Sequence, residues 1–562
     1  MEKQLTGYPS IDKPWLKYYS KEAIDMPLPE GTMCQIVEKN NQTNLDSVAL
    51  RYFGTKITYG SFIQMIHKAA AAYYSLGIRP GDIVTIMSMQ TPETLASIYA
   101  INSLGATVNM VYLSLSEEEV VKAIHSTASK ALVVLDIVID KIESIKAKIN
   151  IPIIVVSVRD SMSSFVKLLL SLKKRKSSHS FTSYSQFIAG NYPTPQLAGT
   201  SHDPAVIVYT SGTTGDPKGV VLSNQNINCV ADQCDKAGKN YHPGETTFFY
   251  LPPFTGYGIA MLHLGLSHGI DFTIHLGIDT NIIAQKFTKA KPNRIAGGPT
   301  LADAILSHVT TNLNYVIDFT GGGEAISIEK ERKINQFLHD HGSSAKYTTG
   351  YGMTEFASVV CMQTNANYKE GSIGIPLPKA NVKIINRDTG EEVGYHQIGE
   401  MCFTAPNMML GYYNNQSATD GIMKTDADGI NWIHTGDLGY VDEDGFVFFS
   451  GRIKRVYLVK DTNGAMMKLF PQRVEDFLET DDGVESCGVV VVEDKERLHG
   501  SIAFLTTNSR YSEPELIKRI NEGLPEHLRP LKIVVMQEMP LTINGKIDYK
   551  ELEKRWNDQQ GN

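Results

Sequence analysis

The alternation of strand-like and helix-like segments is the feature that most constrains the fold of this chain. Across residues 48–156, apolar runs such as Ala131–Leu135 alternate with segments of helical spacing such as 61–76. The same alternation resumes across residues 205–349. Repeated β-α-β units place strands side by side in parallel and cover the sheet with helices. The sequence therefore predicts an α/β fold built on parallel sheets.

The 562 residues are too many for one hydrophobic core, so several units are expected. From about residue 371, short β-like runs between glycine turns predict a smaller, mostly β unit. After Gly451-R-I-K, the pattern becomes that of a small α+β domain. We predict a large N-terminal domain of several subdomains over 1–451, a hinge over 452–454 and a small mobile C-terminal domain over 455–562.

Composition excludes several classes of protein. Hydrophobic residues make up 42% of the chain and charged residues 20%, as in ordinary soluble globular proteins. A net charge of −8 argues against binding nucleic acid through bulk electrostatics. The N-terminus lacks the basic and apolar regions of a secretory signal, and the six cysteines form no C-x-x-C pair. These features favour a reduced, cytoplasmic protein without a disulfide framework or zinc site.

The segment 162–176 combines helical spacing with a basic end. Apolar residues stand at positions 162, 165, 166, 169 and 172, and four basic residues follow at 173–176. Two interpretations stay open. One is an amphipathic helix that contacts an anionic membrane surface or guides an apolar substrate. The other is a surface helix packed on the core, whose lysines offset the helix dipole.

The segment 205–223 predicts a polyphosphate site. An apolar strand leads directly into a loop rich in glycine and hydroxyl residues that ends in a lysine. Glycines allow backbone N–H groups to approach phosphate oxygens, while hydroxyls donate hydrogen bonds and the lysine adds positive charge. The spacing differs from the Walker pattern, so a P-loop NTPase is not implied. The candidate residues are Thr210, Ser211, Gly212, Thr213, Thr214, Gly215 and Lys218.

Four further signatures accompany this loop. A tyrosine ring can stack on a base, and in Tyr351-G-M-T-E the residues Thr354 and Glu355 can contact a phosphate and Mg²⁺. A glycine-rich loop can lie against a planar group, and a buried aspartate such as Asp437 can accept hydrogen bonds from two ribose hydroxyls. The signatures are Asp318-F-T-G-G-G-E-A, Tyr351-G-M-T-E, His434-T-G-D-L-G-Y with Gly451-R-I-K, and Pro540-L-T-I-N-G-K-I-D-Y.

Together and in this order, the five motifs resemble those of the adenylate-forming superfamily. The superfamily includes acyl-CoA synthetases, adenylation domains of nonribosomal peptide synthetases and beetle luciferases, and the resemblance covers about residues 30–556. Within the superfamily, the chain most resembles bacterial long-chain fatty acid–CoA ligases. The resemblance implies that a carboxylate attacks the α-phosphate of ATP, giving an acyl-adenylate and pyrophosphate, and that a thiol then displaces AMP.

The resemblance also assigns roles to individual residues. The loop 210–215 and Lys218 cradle the β- and γ-phosphates, Thr354 contacts the α-phosphate, and Glu355 ligates Mg²⁺. Lys546 bridges the substrate carboxylate and the α-phosphate during the first step, and Lys454 occupies the hinge position. The other nucleotide contacts are Gly322, Gly323, Glu324, Tyr351 and Gly352 at the adenine, and Asp437 and Arg452 at the ribose.

The segment Leu251-P-P-F-T-G-Y-G bears on the substrate. Many acyl-CoA synthetases have histidine where Thr255 stands, and amino-acid-activating domains have aspartate there. Thr255 carries no charge, which disfavours an α-amino acid because its buried ammonium group would stay unpaired. An apolar, glycine-rich lining favours a medium- or long-chain fatty acid. The candidate lining residues are Phe254, Thr255, Gly256, Gly297 and Gly298.

Two thiols stay open as acceptors. Coenzyme A is expected from acyl-CoA synthetases, whereas the C-terminal N-G-K-I-D resembles enzymes that load the phosphopantetheine of an acyl carrier protein. The predicted enzyme is therefore an acid–thiol ligase that uses ATP, Mg²⁺ and CoA, with a carrier-protein-loading enzyme as the alternative.

Overall fold

The computed structural model describes residues 5–170, 181–210, 217–277, 279–460, 465–542 and 546–560. Two large sheets take most of their strands from residues 48–376, and a smaller antiparallel sheet and a C-terminal α+β unit follow. Within the described ranges, no helix combines the length and apolar character needed to cross a membrane.

One large sheet contains eight strands among the described residues. The six strands on one side of it run parallel, whereas the remaining two pair antiparallel at its other edge. In spatial order the strands are Gly411–Tyr412, Gly219–Ser223, Pro204–Tyr209, Thr107–Met110, Ile83–Met87, Ala131–Leu135, Ile153–Val156 and Thr182–Ser183.

The other large sheet contains nine described strands and is parallel through its centre. A hairpin, the antiparallel pair Val48–Tyr52 and Thr55–Thr58, forms one edge. In spatial order the strands are Ile375–Pro376, Cys361–Met362, Tyr347–Tyr351, Asp318–Gly322, Arg294–Ala296, Thr246–Phe249, Asp271–Ile274, Val48–Tyr52 and Thr55–Thr58.

Helices cover and join the two sheets. Every residue of Pro92–Ser103 is buried, because this helix lies in the apolar cluster that contains both Phe272 of the nine-stranded sheet and Val108 of the eight-stranded sheet. The helices before the C-terminal unit are Pro9–Asp12, Lys21–Ile24, Met33–Asn40, Tyr59–Ser75, Pro92–Ser103, Glu117–Ser126, Ile139–Ile149, Ser164–Leu170, Tyr184–Phe187, Asn224–Cys234, Gly256–Ser267, Thr280–Ala290, Pro299–His308, Ile328–Asp340 and Gln416–Ile422.

The predicted small β unit is present as an antiparallel sheet. Its described strands are Asn381–Ile385, Gly399–Thr404, Met423–Thr425, Asn431–Val441 and Val447–Arg452. The last strand leads directly into the C-terminal unit through a short 3-10 turn, Ile453–Arg455.

The C-terminal unit has its own apolar clusters, which contain residues such as Val474, Leu505 and Leu552. Its helices are Pro471–Leu478, Glu513–Gly523 and Tyr549–Gln560, and its strands are Tyr457–Lys460, Met466–Leu469, Val484–Asp494, Leu498–Thr507 and Lys532–Val535. These features confirm the predicted α/β class with a small α+β unit at the C-terminus. The boundaries at 451 and 455 stay predictions.

The helix predicted over 162–176 begins at Ser164, and its description ends at Leu170. Phe165 is 70% exposed and Leu168 is 68% exposed, whereas Met162 is buried in the core. The basic residues 173–176 lie outside the described residues.

Candidate active site

The predicted site residues meet at the carboxyl ends of neighbouring parallel strands. Glycines 297 and 298 follow Arg294–Ala296, Gly322 ends Asp318–Gly322, and Thr354 follows Tyr347–Tyr351. Ligands of open α/β sheets bind at this edge, because the loops that leave adjacent strands surround one crevice. The crevice here is a cleft of 2470 Å³, lined by loops of both large sheets and by the C-terminal unit.

The predicted phosphate loop connects the two strands of an antiparallel hairpin. Strands Pro204–Tyr209 and Gly219–Ser223 pair directly, and the Thr210 N–H donates to the Lys218 carbonyl oxygen at 3.1 Å to close the base of the loop. Lys218 is exposed, and its Nζ lies 4.9 Å from the centre of the Tyr412 ring. The predicted contacts Ser211, Gly212, Thr213, Thr214 and Gly215 lie outside the described residues.

Glu355 is a buried carboxylate beside this lysine. The Tyr412 hydroxyl donates to Glu355 Oε1 at 2.6 Å, and the Glu355 side chain lies in a 3-10 turn, Thr354–Phe356, at the cleft. Burial raises the pKa of Glu355, while the hydrogen bond from Tyr412 and the charge of Lys218 oppose that rise. A carboxylate oxygen in this position is a ligand type that Mg²⁺ prefers, so the residue fits the metal role.

Glycines shape the predicted adenine side. A Cβ on Gly352 would lie 1.9 Å from the Ser358 carbonyl oxygen, and one on Gly322 would lie 3.2 Å from that of Gly350. Gly323 has a φ of +90°, which glycine adopts without strain. These three glycines line the cleft, so their backbone faces it without a side chain.

Tyr351 and Asp437 form a hydrogen-bonded pair in the cleft. The Tyr351 hydroxyl donates to Asp437 Oδ2 at 2.7 Å, and Arg452 Nε lies 3.4 Å from Oδ1. Among the described residues, this buried Oδ1 accepts no hydrogen bond. Burial raises the pKa of Asp437, and the positive charge of Arg452 opposes the rise. An aspartate with a spare acceptor in a polar cleft fits the predicted contact with ribose hydroxyls.

Lys546 reaches the cleft from the C-terminal unit. A Cβ placed on Gly323 would lie 3.9 Å from Lys546 Cε. Burial and the charge of Arg452 lower the pKa of Lys546, although the carboxylates of Glu324 and Asp437 partly offset this. Burial raises the pKa of Glu324, and Lys546 is the main opposing charge. The arrangement thus brings the predicted catalytic lysine to the predicted nucleotide residues.

The predicted acyl-lining residues lie at the start of helix Gly256–Ser267. The Thr255 hydroxyl caps this helix: it accepts from the Gly258 N–H at 2.9 Å and donates to the Pro252 carbonyl oxygen at 2.9 Å. The Phe254 ring is buried edge-on against Tyr112 at 5.0 Å. The Thr255 hydroxyl therefore both donates and accepts within the start of this helix.

The glycines of this region are required by packing. A Cβ on Gly256 would lie 3.1 Å from Thr354 Cγ2, so the start of this helix packs closely against Thr354, the predicted phosphate contact. A Cβ on Gly297 would lie 2.4 Å from the Tyr250 hydroxyl, and one on Gly298 would lie 3.3 Å from the Gly322 carbonyl oxygen. Glycine at 297 is therefore required by the packing of Tyr250, and its role in the acyl lining stays a prediction.

The predicted hinge lies at the junction of the two units. Arg452 ends its strand and Lys454 is exposed in the following turn. Arg455 belongs to the C-terminal unit, because its guanidinium pairs with Glu475 at 2.7 Å and stacks 4.0 Å from the Tyr549 ring centre.

Tyr412 is a site residue that the sequence motifs did not reveal. Its strand pairs with Gly219–Ser223, almost two hundred positions earlier in the chain. The local sequence G-Y-Y gives no sign of that pairing, so only the fold places the ring between Lys218 and Glu355.

Comparison with known families decides the class of the chain. The family model described as AMP-binding enzyme matches residues 37–413, and the model of the AMP-binding enzyme C-terminal domain matches residues 473–546. The chain belongs to the AMP-binding enzyme family. This confirms the predicted adenylate-forming superfamily and an AMP-forming acyl-CoA synthetase class.

Individual relatives span nearly the whole chain. A long-chain-fatty-acid–CoA ligase of Bacillus subtilis is 27% identical over 559 residues, covering 95% of this chain and 96% of its own. A 4-coumarate–CoA ligase of Arabidopsis thaliana is 25% identical over 515 residues, covering 89% of this chain and 86% of its own.

Solved structures share the fold. The anthranilate CoA ligase AuaEII in complex with anthranoyl-AMP has a TM-score of 0.82 at 21% identity, covering 96% of this chain and 100% of its own. The o-succinylbenzoate CoA synthetase of Bacillus subtilis with ATP and magnesium ion has a TM-score of 0.74 at 21% identity, covering 93% and 100%. The predicted use of ATP, Mg²⁺ and CoA agrees with this class, while the acids differ among relatives.

Proposed function

We propose that this enzyme activates a medium- or long-chain fatty acid and transfers it to CoA. The observation that carries the proposal is the convergence of Lys546, Asp437 and Glu355 in one cleft beside the phosphate hairpin. The uncharged Thr255 supports an acid without an α-ammonium group. The near full-length match to a relative named as a long-chain-fatty-acid–CoA ligase supports both the fatty acid and CoA as the thiol.

In the first step a carboxylate oxygen attacks the α-phosphorus of ATP, and the bond to pyrophosphate breaks. Lys546 donates hydrogen bonds to the carboxylate and the α-phosphate, Lys218 pairs with the departing phosphates, and Thr354 donates to the α-phosphate. These cations and donors offset the negative charge that builds on phosphoryl oxygens. Mg²⁺, held by Glu355, supplies further charge neutralisation when bound.

In the second step the CoA sulfur attacks the acyl carbon, the bond to AMP breaks, and the thiol proton goes to solvent. We propose that rotation about 452–454 withdraws Lys546 before this step, as the motion of a hinge requires only a few residues to change φ and ψ. Asp437 and Arg452 hold the ribose, and the backbone of Gly322, Gly323 and Gly352 faces the adenine, with Tyr351 and Glu324 beside it.

The test is pyrophosphate release against acids from acetate to oleate, together with aromatic and amino acids, with and without CoA. We expect the highest rate for medium or long chains and multiple turnovers only with CoA. Lys546→Ala abolishes release while ATP binding is retained, whereas Lys550→Ala at an exposed neighbouring lysine leaves release unchanged. A preference for aryl or amino acids, or unchanged release by Lys546→Ala, contradicts the proposal.

We further propose peripheral contact of this cytoplasmic enzyme with an anionic membrane through the helix that begins at Ser164. Its exposed Phe165 and Leu168 and the basic residues that follow at 173–176 in the sequence support this. Flotation with vesicles of mixed anionic and zwitterionic lipid tests it. Binding that Phe165→Ser with Leu168→Ser abolishes is expected, and equal flotation of variant and parent contradicts it.

A further inference from the structure

An extended bulge delivers Asp437 to the cleft. Strands Gly399–Thr404 and Asn431–Val441 pair at Glu400↔Leu438 and again at Cys402↔His434. Between these pairs, Met401 alone stands opposite the three residues 435–437. Bulges of this kind leave backbone groups without ladder partners and redirect a side chain, often beside an active site.

Side chains of Thr435 and Glu400 bind backbone groups of the bulge. The Thr435 hydroxyl donates to the Met401 carbonyl oxygen at 2.7 Å and accepts from the Asp437 N–H at 3.1 Å. The Gly436 N–H donates to Glu400 Oε1 at 3.1 Å, and Gly436 has a φ of +72°. A glutamate side chain therefore replaces the missing ladder bond at the centre of the bulge.

His434 holds the second oxygen of the same carboxylate. His434 Nδ1 lies 3.1 Å from Glu400 Oε2, and the Glu400 side chain is only 13% exposed. Burial opposes ionisation, but the contacts with His434 and Gly436 outweigh it and hold the pKa of Glu400 below its usual value. The carboxylate is thus ionised and fixed in two directions.

This glutamate has an electrostatic disadvantage. Its negative charge raises the pKa of nearby Asp437, the residue proposed to accept hydrogen bonds from ribose. A neutral side chain would avoid that repulsion. The contacts of Glu400 in the bulge compensate for this repulsion, since its carboxylate can accept hydrogen bonds from Gly436 and His434 at once.

We infer that Glu400, oriented by His434, is a positioning residue that sets the 435–437 bulge so that the Asp437 carboxylate faces the nucleotide ribose. The inference rests on the proposed ribose role of Asp437. Glu400 acts through the bulge, since residues 435–437 line the cleft and Glu400 does not.

The test is the dissociation constant of ATP, measured by calorimetry without any acid so that it does not depend on turnover. Glu400→Ala is expected to weaken ATP binding at least tenfold, and Glu400→Gln, which keeps an acceptor for Gly436, to stay within threefold of the parent. The matched control is Glu443→Ala, which removes a Glu–His pair with His396 from the exposed surface and is expected to leave ATP binding unchanged.

A double-variant cycle distinguishes positioning from general structural support. In an Asp437→Asn background, Glu400→Ala is expected to weaken ATP binding less than twofold further, because the residue it positions is already altered. If Glu400→Ala does not fold, Glu400→Asp draws the carboxylate back by one methylene and is expected to weaken binding several-fold.

Three results overturn the inference: ATP binding by Glu400→Ala within twofold of the parent, a full tenfold loss in the Asp437→Asn background, or no effect of Asp437→Asn alone. In steady-state kinetics, a positioning role predicts that Glu400→Ala raises KM for ATP and leaves KM for the acid unchanged. Failure of the proposed acid activation would instead appear as absent pyrophosphate release by a parent enzyme that binds ATP normally.

Discussion

Tyr412→Phe removes one oxygen atom from the centre of the proposed metal site. The lost hydroxyl donates at 2.6 Å to Glu355 Oε1, and both side chains are buried, with Glu355 only 4% exposed. Solvent therefore cannot replace the donor easily. The ring stays in place, so the contact with Lys218 Nζ at 4.9 Å is retained.

The magnitude follows from the charge on the acceptor. A hydrogen bond to a charged group is worth about 1.5–3 kcal/mol, which corresponds to roughly a tenfold to hundredfold change in an equilibrium constant. Burial already raises the pKa of Glu355, and the Tyr412 hydroxyl is the largest opposing contact. Its removal raises that pKa further. On acidification, Glu355 of the variant is then protonated at a higher pH than Glu355 of the parent. The acid limb of the pH–activity profile therefore shifts to higher pH.

The assay is the Mg²⁺ dependence of pyrophosphate release at several pH values. Tyr412→Phe should raise the half-saturating Mg²⁺ concentration at least tenfold, with a larger effect at lower pH. The control is Tyr413→Phe, since Tyr413 is held to Gly219 by its backbone N–H. Unchanged Mg²⁺ dependence in Tyr412→Phe, or an equal effect of Tyr413→Phe, would refute the reasoning.

Three other predictions concern the alkaline limb, the backbone and the junction between units. Burial lowers the pKa of Lys546, so adenylation should decline as pH rises through that lowered pKa, and in Lys546→Arg the residual pyrophosphate release should lack this decline. Gly352→Ala should lower the free energy of unfolding by at least about 1–3 kcal/mol, measured in denaturant, because its Cβ would meet a carbonyl oxygen at 1.9 Å. Gly350→Ala, with 3.6 Å as its nearest contact, should have a smaller effect. Burial raises the pKa of both Asp476 and Glu479 to about 7. The arrangement of the two units that buries these carboxyl groups disfavours their charged forms, so it should become more populated as the pH falls through 7. Fluorescence transfer between dyes on the two units should show that shift in the parent and lose it in Asp476→Asn with Glu479→Gln; a persistent shift contradicts the assignment.

Much of the fold was predictable because its elements have strong local patterns. The apolar run Ala131–Leu135 forms a strand, and the helix Tyr59–Ser75 covers nearly all of the segment 61–76 whose spacing predicts it. The resemblance carried by the motifs also implied which residues would meet. Lys546, Asp437 and Glu324 come together accordingly.

Other features depended on contacts between distant segments. Tyr412 reaches Glu355 only through a strand pairing with residues near 220, and Glu400 supports Gly436 only because a bulge frees its N–H. The need for glycine at position 297, where a Cβ would lie 2.4 Å from the Tyr250 hydroxyl, is likewise set by a distant segment. Such side-chain volumes are set by tertiary packing, which hydrophobic periodicity does not encode.

The central claim is that a carboxylate oxygen of the substrate attacks the α-phosphorus of ATP. Its most direct test uses a fatty acid labelled with ¹⁸O in the carboxyl group, with ATP, Mg²⁺ and CoA, and mass spectrometry of the products. The account predicts AMP that carries one ¹⁸O atom, unlabelled pyrophosphate, and an acyl-CoA that retains the other ¹⁸O atom. Unlabelled AMP, or label in pyrophosphate or inorganic phosphate, would contradict it.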